Sequence, residues 1–382
     1  MQKLRRRSAD VGAGIGHKQA VVDVDIAMHL CVVNVINAIV FGSTWRDDDP
    51  RFFHLKSMMR QQMENVQSVG MLLMDAYPCL RHLPIPGKLG LEQYEANQAE
   101  LSRFFMRQML SPLYEQSPQS DKPADLATAY LTEMDRRHKA GEDTAWFTDW
   151  QLMIILGDLW AAGMETTVAT LRWALLYMMH YPDVQKRVRD EIRKQLPYTI
   201  ATVTEIQRCA NILPINLQHR TLRDTVIGGH RIPIGSTVIP QISAVHMDDR
   251  YFSDPKRFNP DRYLDDAEAA ERVIPFSLGK RQCLGAGLAR MELFLIFTSL
   301  LQKFQFSAPA DQPLPSLRPI VGITLTPQPF ECVLHESRAQ QQTNVRCRQK
   351  HASAVALAQN SRLSTHERIT TSSFATTFNS LR

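Results

Sequence analysis

One cysteine constrains this chain more than any other residue. Cys283 lies between Gly279 and Gly285 and is followed by an apolar stretch, residues 286–304, whose spacing predicts an amphipathic helix. A thiolate at a helix N-terminus can accept backbone N–H bonds and is stabilised by the helix dipole, so it stays deprotonated and able to bind a metal. The glycines let the backbone bend closely around a large flat group, and Arg281 offers a planar cation to a carboxylate. The pattern therefore predicts a thiolate ligand beside an anion-binding group.

The same run resembles the haem-binding loop of the cytochrome P-450 family, which has the form Phe-x-x-Gly-x-Arg-x-Cys-x-Gly. Every fixed position is filled, by Phe276, Gly279, Arg281, Cys283 and Gly285. The resemblance implies that Cys283 is the axial ligand of a haem b iron and that its electron donation favours O–O cleavage. A cysteine before an apolar helix is otherwise most often a small buried hydrophobe, which is our interpretation of Cys31, Cys79 and Cys209.

A second pattern lies in a long apolar segment, residues 148–179, whose periodicity predicts a helix. Gly163 follows Ala162 inside it, although an interior glycine costs a helix roughly 1 kcal/mol relative to alanine. A bulky neighbour such as a ligand would explain the narrow face. Glu165 and Thr166 follow. On the residues alone, a functional acid and hydroxyl is no better an interpretation than a surface acid and a hydroxyl that bonds back to the preceding turn.

Residues 162–167 are similar to the oxygen-binding motif of the same family. The resemblance implies that Ala162 and Gly163 make room for dioxygen and that Thr166 and Glu165 organise proton delivery to it. A hydroxyl that both donates and accepts suits such a relay.

A third match concerns the support of the cysteine loop. Glu205 and Arg208 stand at i and i+3 on a predicted helix, a spacing that often gives only a weak exposed pair. The resemblance implies instead a buried pair, completed by Arg262, that holds the cysteine loop in place. The family usually carries Glu and Phe where this chain has Asp261 and Tyr263.

His219 follows an apolar loop, and a lone histidine there is usually a plain hydrogen-bonding group. By its position it resembles the family's haem-propionate contact. We therefore count His219 among the expected cofactor-binding residues.

Composition and charge limit the other classes of function. The net charge of +5 is concentrated at the end, because residues 337–382 hold seven Lys or Arg and one acid, which gives +6 and leaves about −1 for the rest. We expect a haem domain over residues 1–335 and a polar, basic, disordered tail over residues 336–382. No recognised nucleic-acid module is present, so we expect no nucleic-acid partner. Six cysteines without a C-x-x-C pair favour a reducing, cytosol-facing environment.

The segments of the body predict a mainly α protein with minor β structure. The resemblance covers about residues 20–335 and is closest to the animal microsomal group, with nematode-like sequence. It implies a cytochrome P-450 fold lacking the N-terminal anchor, the first strands and the early helices, with a shortened connection at residues 194–197. Residues 69–80 are apolar enough to touch a membrane surface, although packing under a loop predicts the same residues.

The expected function is that of a haem-thiolate monooxygenase acting on lipophilic small molecules with O2. Its electrons would come from an NADPH-dependent flavoprotein reductase, because Gly12, Gly14 and Gly16 lack the spacing of a nucleotide-binding fingerprint. A basic cluster on the helix after residue 183 is a candidate docking surface for it, and a solvated helix face is the equal alternative. That cluster comprises Lys186, Arg187, Arg189, Arg193 and Lys194.

The family resemblance also implies a location at the cytosolic face of the endoplasmic reticulum membrane. Two other functions remain open on the sequence. One is a catalytically silent fragment that does not retain haem, and the other is a haem-thiolate isomerase or dehydratase that needs no reductase.

Overall fold

The computed structural model describes residues 20–22, 24–66, 68–82, 90–111, 125–192 and 196–336. The predicted tail beyond residue 336 lies outside the described residues, as do Arg193, Lys194 and the glycines at positions 12, 14 and 16.

The described chain is mainly helical with short strands, which confirms the predicted fold class. Its helices are α1 (Asp25–Phe41), α2 (Pro50–Val66), α3 (Val69–Ala76), α4 (Leu91–Phe104), α5 (Leu126–Ala140), α6 (Asp149–His180), α7 (Pro182–Glu191), α8 (Pro197–Ala210), α9 (Ile242–His246), α10 (Arg262–Asp265), α11 (Ala267–Glu271) and α12 (Ala286–Lys303). Its strands are β1 (Ala20–Val22), β2 (His219–Arg220), β3 (Thr225–Ile227), β4 (His230–Ile232), β5 (Thr237–Val238), β6 (Phe304–Ser307), β7 (Pro319–Ile320), β8 (Thr326–Pro327) and β9 (Cys332–Glu336). Short 3-10 turns occupy Pro78–His82 and Gly279–Arg281, and a π-helical turn, Phe105–Leu110, continues α4.

All strand pairs in the described residues are antiparallel. The largest sheet has the order β1, β9, β6, with Val333 of β9 opposite Val21 on one side and Ser307 on the other. The remaining strands form three separate pairs, β2 with β5, β3 with β4 and β7 with β8. The sheets are small, and β6 and β9 add Phe306 and Cys332 to a core that is otherwise formed mainly by helices.

Helix α6 is the centre of the structure. It begins after Thr148, whose side chain accepts a hydrogen bond from the N–H of Gln151, and it runs for 32 residues. Helices α1, α8 and α12 pack against it, and the Trp160 indole of α6 donates to Asn37 Oδ1 of α1 over 3.1 Å. By length and composition α6 is the one helix in the described ranges that would suffice to cross a membrane. Its packing on several sides is that of a core helix.

Candidate active site

The cysteine loop is closed by its own backbone. The N–H of Cys283 donates to the carbonyl of Phe276 over 2.9 Å, so the intervening residues form a compact turn. Gly279 lies in this turn at φ +81°, a left-handed conformation in which L side chains are strained, and this supports the glycine's predicted role in bending the backbone. The Phe276 ring is covered by the guanidinium of Arg290, 5.0 Å from its centroid.

Helix α12 begins immediately after the loop. Gly285 is its N-cap, and no side chain satisfies the first free N–H groups of the helix. The sulfur of Cys283 lies at this end, because a Cβ added to Gly285 would be 4.0 Å from Sγ. The structure therefore places the thiol at the positive end of a helix, as the sequence predicted.

The side chains around Cys283 are open to solvent. Cys283 itself is exposed, and the neighbouring Leu278 and Leu284 are 68% and 92% exposed. Arg281 forms no hydrogen bond or ion pair with any residue that the structure describes. An unpaired thiol, an unpaired guanidinium and two apolar side chains thus share one surface loop.

A cavity lies between α6 and the cysteine loop. Its free volume is about 30 Å³, enough for a water molecule but far below the roughly 300–1,000 Å³ of small-molecule sites. Thr166 of α6 and Phe276 of the loop both line it, so the structure brings the two sequence motifs together at one cavity. The complete lining is Thr166, Thr167, Thr170, Gln207, Ile212, Pro275, Phe276, Ala289 and Leu293.

The hydroxyl of Thr166 bonds to its own helix. It donates to the carbonyl of Ala162 over 2.7 Å, and the Thr170 hydroxyl donates in the same way to Thr166 over 2.9 Å. This is the back-bonding that the sequence allowed, and it occurs at the cavity wall rather than at a remote surface. Ala162, one turn before Thr166, is exposed.

The bulky neighbour of Gly163 is a protein side chain. A Cβ at this position would lie 2.6 Å from Cδ1 of Ile36, which belongs to α1. The glycine therefore permits α1 to approach α6 closely, and the ligand that we expected against this position is not required to explain it.

Glu165 does not line the cavity that holds Thr166. Burial raises the pKa of Glu165, and the charges of Lys56 and Arg172 oppose that shift. Lys56 and Arg172 also pair with Asp25 at 2.6 and 3.6 Å. The carboxylate thus belongs to a polar cluster between α6 and the first two helices, and the two residues of the predicted pair face different surroundings.

The predicted buried pair of Glu205 and Arg208, completed by Arg262, is confirmed. Arg208 and Glu205 are both fully buried and form two hydrogen bonds of 2.8 Å, and Arg262 Nε reaches Glu205 Oε1 at 3.2 Å. Tyr263, where the family usually has Phe, donates its hydroxyl proton to Glu205 Oε2 over 2.6 Å. The carboxylate also accepts from the N–H of Asn259 over 2.9 Å. Because every charge has a partner, the network can remain in the interior.

His246 connects this network to the cysteine loop, and sequence reasoning missed it. Its carbonyl accepts from Arg208 over 2.8 Å, and its Nε2 accepts from the N–H of Ile274 over 2.9 Å, two residues before Phe276. Burial, and secondly the charge of Arg208, lower the pKa of His246 to about 4. The ring is therefore a neutral acceptor at neutral pH.

His219 lies in strand β2, opposite Val238 of β5. It is exposed, and its side chain has no hydrogen bond to any residue within the described ranges. The structure thus leaves the imidazole accessible, and its contact with a haem propionate remains a prediction.

Glu292 is a second residue that the sequence analysis missed. It lies on α12 among apolar neighbours and is 5% exposed, and burial raises its pKa to about 7 against an opposing hydrogen bond from Thr167. The available signal was an acid among the apolar residues of a helix predicted to pack against the core.

Comparison with known proteins decides the family. The sequence model of the cytochrome P-450 family matches residues 10–334. The chain belongs to the cytochrome P-450 family. Rat cytochrome P-450 2D4 is 37% identical over 317 residues, which are 78% of this chain and 62% of the rat protein. Human cytochrome P-450 2D6 is also 37% identical, over 78% of this chain and 62% of its own length. Human cytochrome P-450 2U1 is 34% identical over 79% of this chain and 58% of its own length.

The chain therefore spans about three fifths of the length of these cytochrome P-450 relatives. Members of the family bind haem b through a cysteine thiolate. The described residues fit that group, because Cys283 is accessible, Arg281 is free to pair with a propionate, and Leu278 and Leu284 offer apolar contact to a porphyrin.

Proposed function

We propose that this protein is a haem-thiolate monooxygenase that oxidises lipophilic small molecules of the xenobiotic, steroid or fatty-acid type. The observation that carries the proposal is the cavity that joins Thr166 of α6 to Phe276 of the cysteine loop. The family supports the same chemistry, since cytochromes P-450 use a thiolate-ligated haem to activate O2.

In this proposal Cys283 holds the iron, Arg281 and His219 pair with the propionates, and Gly279 and Gly285 shape the loop that lies against the porphyrin. When bound, the haem supplies electron transfer to O2 and insertion of one oxygen atom into a C–H bond. The chain's own residues orient the substrate, exclude water and move protons.

Proton delivery is the proposed role of Thr166. Its hydroxyl, held by the carbonyl of Ala162 at 2.7 Å, lies at the cavity wall and can both donate and accept. Glu165 is the proposed proton source, although its carboxyl group faces the polar cluster with Lys56 and Arg172 and does not line the cavity. Gly163 remains a candidate contact for O2 on the same helix.

The electron donor in this proposal is an NADPH-dependent flavoprotein reductase. The basic side chains on α7, which we predicted as a docking surface for the reductase, are already paired within the chain. Lys186 bonds to Asp190 at 2.8 Å, Arg187 bonds to Asp261 at 2.6 Å, and Arg189 donates to the carbonyl of Leu301 at 3.1 Å. These contacts favour the solvated helix face over a free cationic patch.

Contact with the endoplasmic reticulum membrane is proposed for α3. Val69, Leu73 and Tyr77 are 73%, 41% and 60% exposed, whereas Met74 on the same segment is buried. A short helix with one exposed apolar face suits shallow insertion into a lipid surface. Replacing Val69 and Leu73 by Ser is expected to reduce flotation of the chain with phosphatidylcholine vesicles.

The central experiment is the absorbance spectrum of the reduced, carbon-monoxide-treated chain. A strongly red-shifted Soret band is expected, and Cys283→Ser is expected to abolish it, whereas Cys79→Ser, at another exposed cysteine, should leave it unchanged. Thr166→Ala should keep the band and raise the hydrogen peroxide released per NADPH. An unchanged peroxide yield would contradict the proton-delivery role.

The second candidate is a catalytically silent chain that does not retain haem. The observation that favours it is the exposure of Cys283 and of Leu284, which is 92% exposed. A spectrum without a thiolate-ligated band after haem reconstitution would support this function. A normal band without product in the presence of reductase would instead favour an isomerase or dehydratase.

A further inference from the structure

Helices α1 and α12 border an open groove on α6. Both pack against α6, but they make almost no contact with each other within the described ranges. Both carry apolar residues on all sides, a composition typical of helices that are covered all round. Each nevertheless exposes part of that surface, since Ile39 of α1 is 46% exposed and Met291 and Leu295 of α12 are 54% and 53% exposed. One side of each helix therefore remains open to an apolar partner.

Two ridges of side chains form the walls of this groove. Cys31, Val35 and Ile39 follow at intervals of four residues and so form one ridge of α1. On α12, Leu295 lies one turn after Glu292 and shares its side of the helix. Burial, and secondly the charge of Glu292, raise the pKa of Cys31, which supports an α1 ridge that faces Glu292 across the groove.

Glu292 adds a polar requirement to the groove. It is 5% exposed, and its Oε1 has no hydrogen-bond partner among the residues that the structure describes. A buried carboxyl oxygen without a partner costs free energy, so a segment that offers a hydrogen-bond donor is favoured over a purely apolar one. The groove therefore suits an apolar polypeptide segment that carries a small donor.

The chain after Glu336 starts beside this groove. Strand β9 ends at Glu336, which is opposite Phe304, and Phe304 directly follows α12. From that point Glu292 lies about 17 Å back along α12, at 1.5 Å per residue. Residues 337–351 can span up to about 50 Å when extended, so the chain that follows them can reach the groove.

Residues 352–358 have the composition that the groove requires. Their sequence is Ala-Ser-Ala-Val-Ala-Leu-Ala, which contains no charge and one hydrogen-bonding side chain, Ser353. The small side chains let a backbone approach two helices closely. Lys350 precedes this run and Arg362 follows it, so cations flank a segment that would lie beside the acid Glu292.

We propose that residues 352–358 bind in the groove between α1 and α12 and cover α6 within the same chain. Apolar contact with Ile39 and Leu295 stabilises the bound segment, and the hydroxyl of Ser353 donates to Glu292 Oε1. A segment whose composition predicts disorder is then ordered by binding to its own fold. This inference does not depend on the monooxygenase function.

Hydrogen–deuterium exchange of the full chain is the first test, measured on peptides from residues 352–358 and from α12. Leu357→Asp places a charge in the apolar run and should speed the exchange of both peptides by about tenfold, because exchange follows local opening. Ile369→Asp, which adds the same charge to the tail outside the run, should leave both peptides unchanged. Equal exchange in the wild type and in Leu357→Asp would overturn the proposal.

The hydrogen bond of Ser353 has its own test. Ser353→Ala removes the donor but keeps the small side chain, and it should speed the exchange of residues 352–358 by about fivefold. Ser364→Ala, in the tail outside the run, is the matched control. No change in Ser353→Ala would contradict the bond to Glu292.

Cysteine cross-linking locates the contact. Leu295→Cys combined with Val355→Cys should form a disulfide on mild oxidation, which requires Cα atoms within about 7 Å. Ile323→Cys combined with Val355→Cys should not form one, although Ile323 is 48% exposed and thus similar to Leu295. Peptide mass spectrometry identifies the bonded pairs, and equal disulfide yields in the two pairs would overturn the proposal.

Mixing isotopically light and heavy chains separates binding within one chain from binding between copies. Disulfides confined to one isotope support the proposal, whereas mixed disulfides that increase with protein concentration would assign the groove to a second copy and overturn it. Neither exchange nor cross-linking requires haem or turnover. Failure of this inference therefore leaves the proposed monooxygenase function intact, and the absorbance spectrum tests that function separately.

Discussion

The hydroxyl of Tyr263 donates a 2.6 Å hydrogen bond to Glu205 Oε2, inside the network that supports the cysteine loop. The same carboxylate accepts two hydrogen bonds from Arg208 and one from Arg262. Tyrosine at this position therefore adds a donor to a buried anion, which a phenylalanine would not provide. Because Tyr263 lies in α10, the bond also ties this short helix to α8, which carries Glu205.

Removal of that hydroxyl should weaken the fold. Tyr263→Phe is expected to lower the free energy of unfolding by about 2 kcal/mol, since hydrogen bonds to charged groups contribute roughly 1.5–3 kcal/mol. Tyr251→Phe is the control, because Tyr251 is 47% exposed. Urea unfolding of both variants measures the difference, and equal values would show that the Tyr263 bond contributes nothing.

The charge of Arg208 should matter more than that of an exposed arginine. Arg208→Met leaves Glu205 buried with fewer partners, and breaking a buried pair costs about 3–5 kcal/mol. Arg231→Met breaks a pair with Asp224 whose arginine is 80% exposed, and it should cost less than about 1 kcal/mol. Chemical denaturation compares the two variants. Similar losses would contradict the structural role of the buried network.

His246 should make the protein less stable as the pH falls. Its pKa in the folded chain is about 4 against 6.5 for an unperturbed histidine, so the unfolded chain binds more protons between these values. From pH 7 to pH 5 this costs the wild type about 2 kcal/mol relative to His246→Gln, whose amide oxygen can still accept from Ile274. Unfolding free energies at both pH values measure the effect.

Gly163 and Ile36 should behave as a coupled pair. Gly163→Ala brings a methyl group to 2.6 Å from Ile36 Cδ1, and we expect a loss of about 1 kcal/mol despite the better helix propensity of alanine. Ile36→Val removes that atom, so the double variant should recover stability, with a coupling energy of about 1 kcal/mol. Gly157→Ala on the same helix meets only an ordinary 3.7 Å contact with Phe105 and should stabilise the chain. Thermal unfolding of all four variants decides this, and simple additivity would contradict the contact.

The features of the site that depend on nearby residues could be predicted from the sequence. The turn at Gly279, the helix that follows Cys283 and the i, i+3 pair of Glu205 with Arg208 depend on neighbours within a few residues, so their periodicity and turn chemistry are visible in the chain. The same holds for the length of α6 and for its capping by Thr148.

The tertiary structure alone decided which groups meet across the fold. It placed Ile36 against Gly163, turned Glu165 towards Lys56 and away from the cavity of Thr166, and brought the backbone of Ile274 to His246. It also buried Glu292 beside Thr167, which raises its pKa. Spacing along one helix fixes which face a residue occupies, but contacts between distant segments and the desolvation they cause depend on how the helices pack. The sequence by itself therefore determined the ligand loop and the family, and the packing determined which polar groups are buried and what they contact.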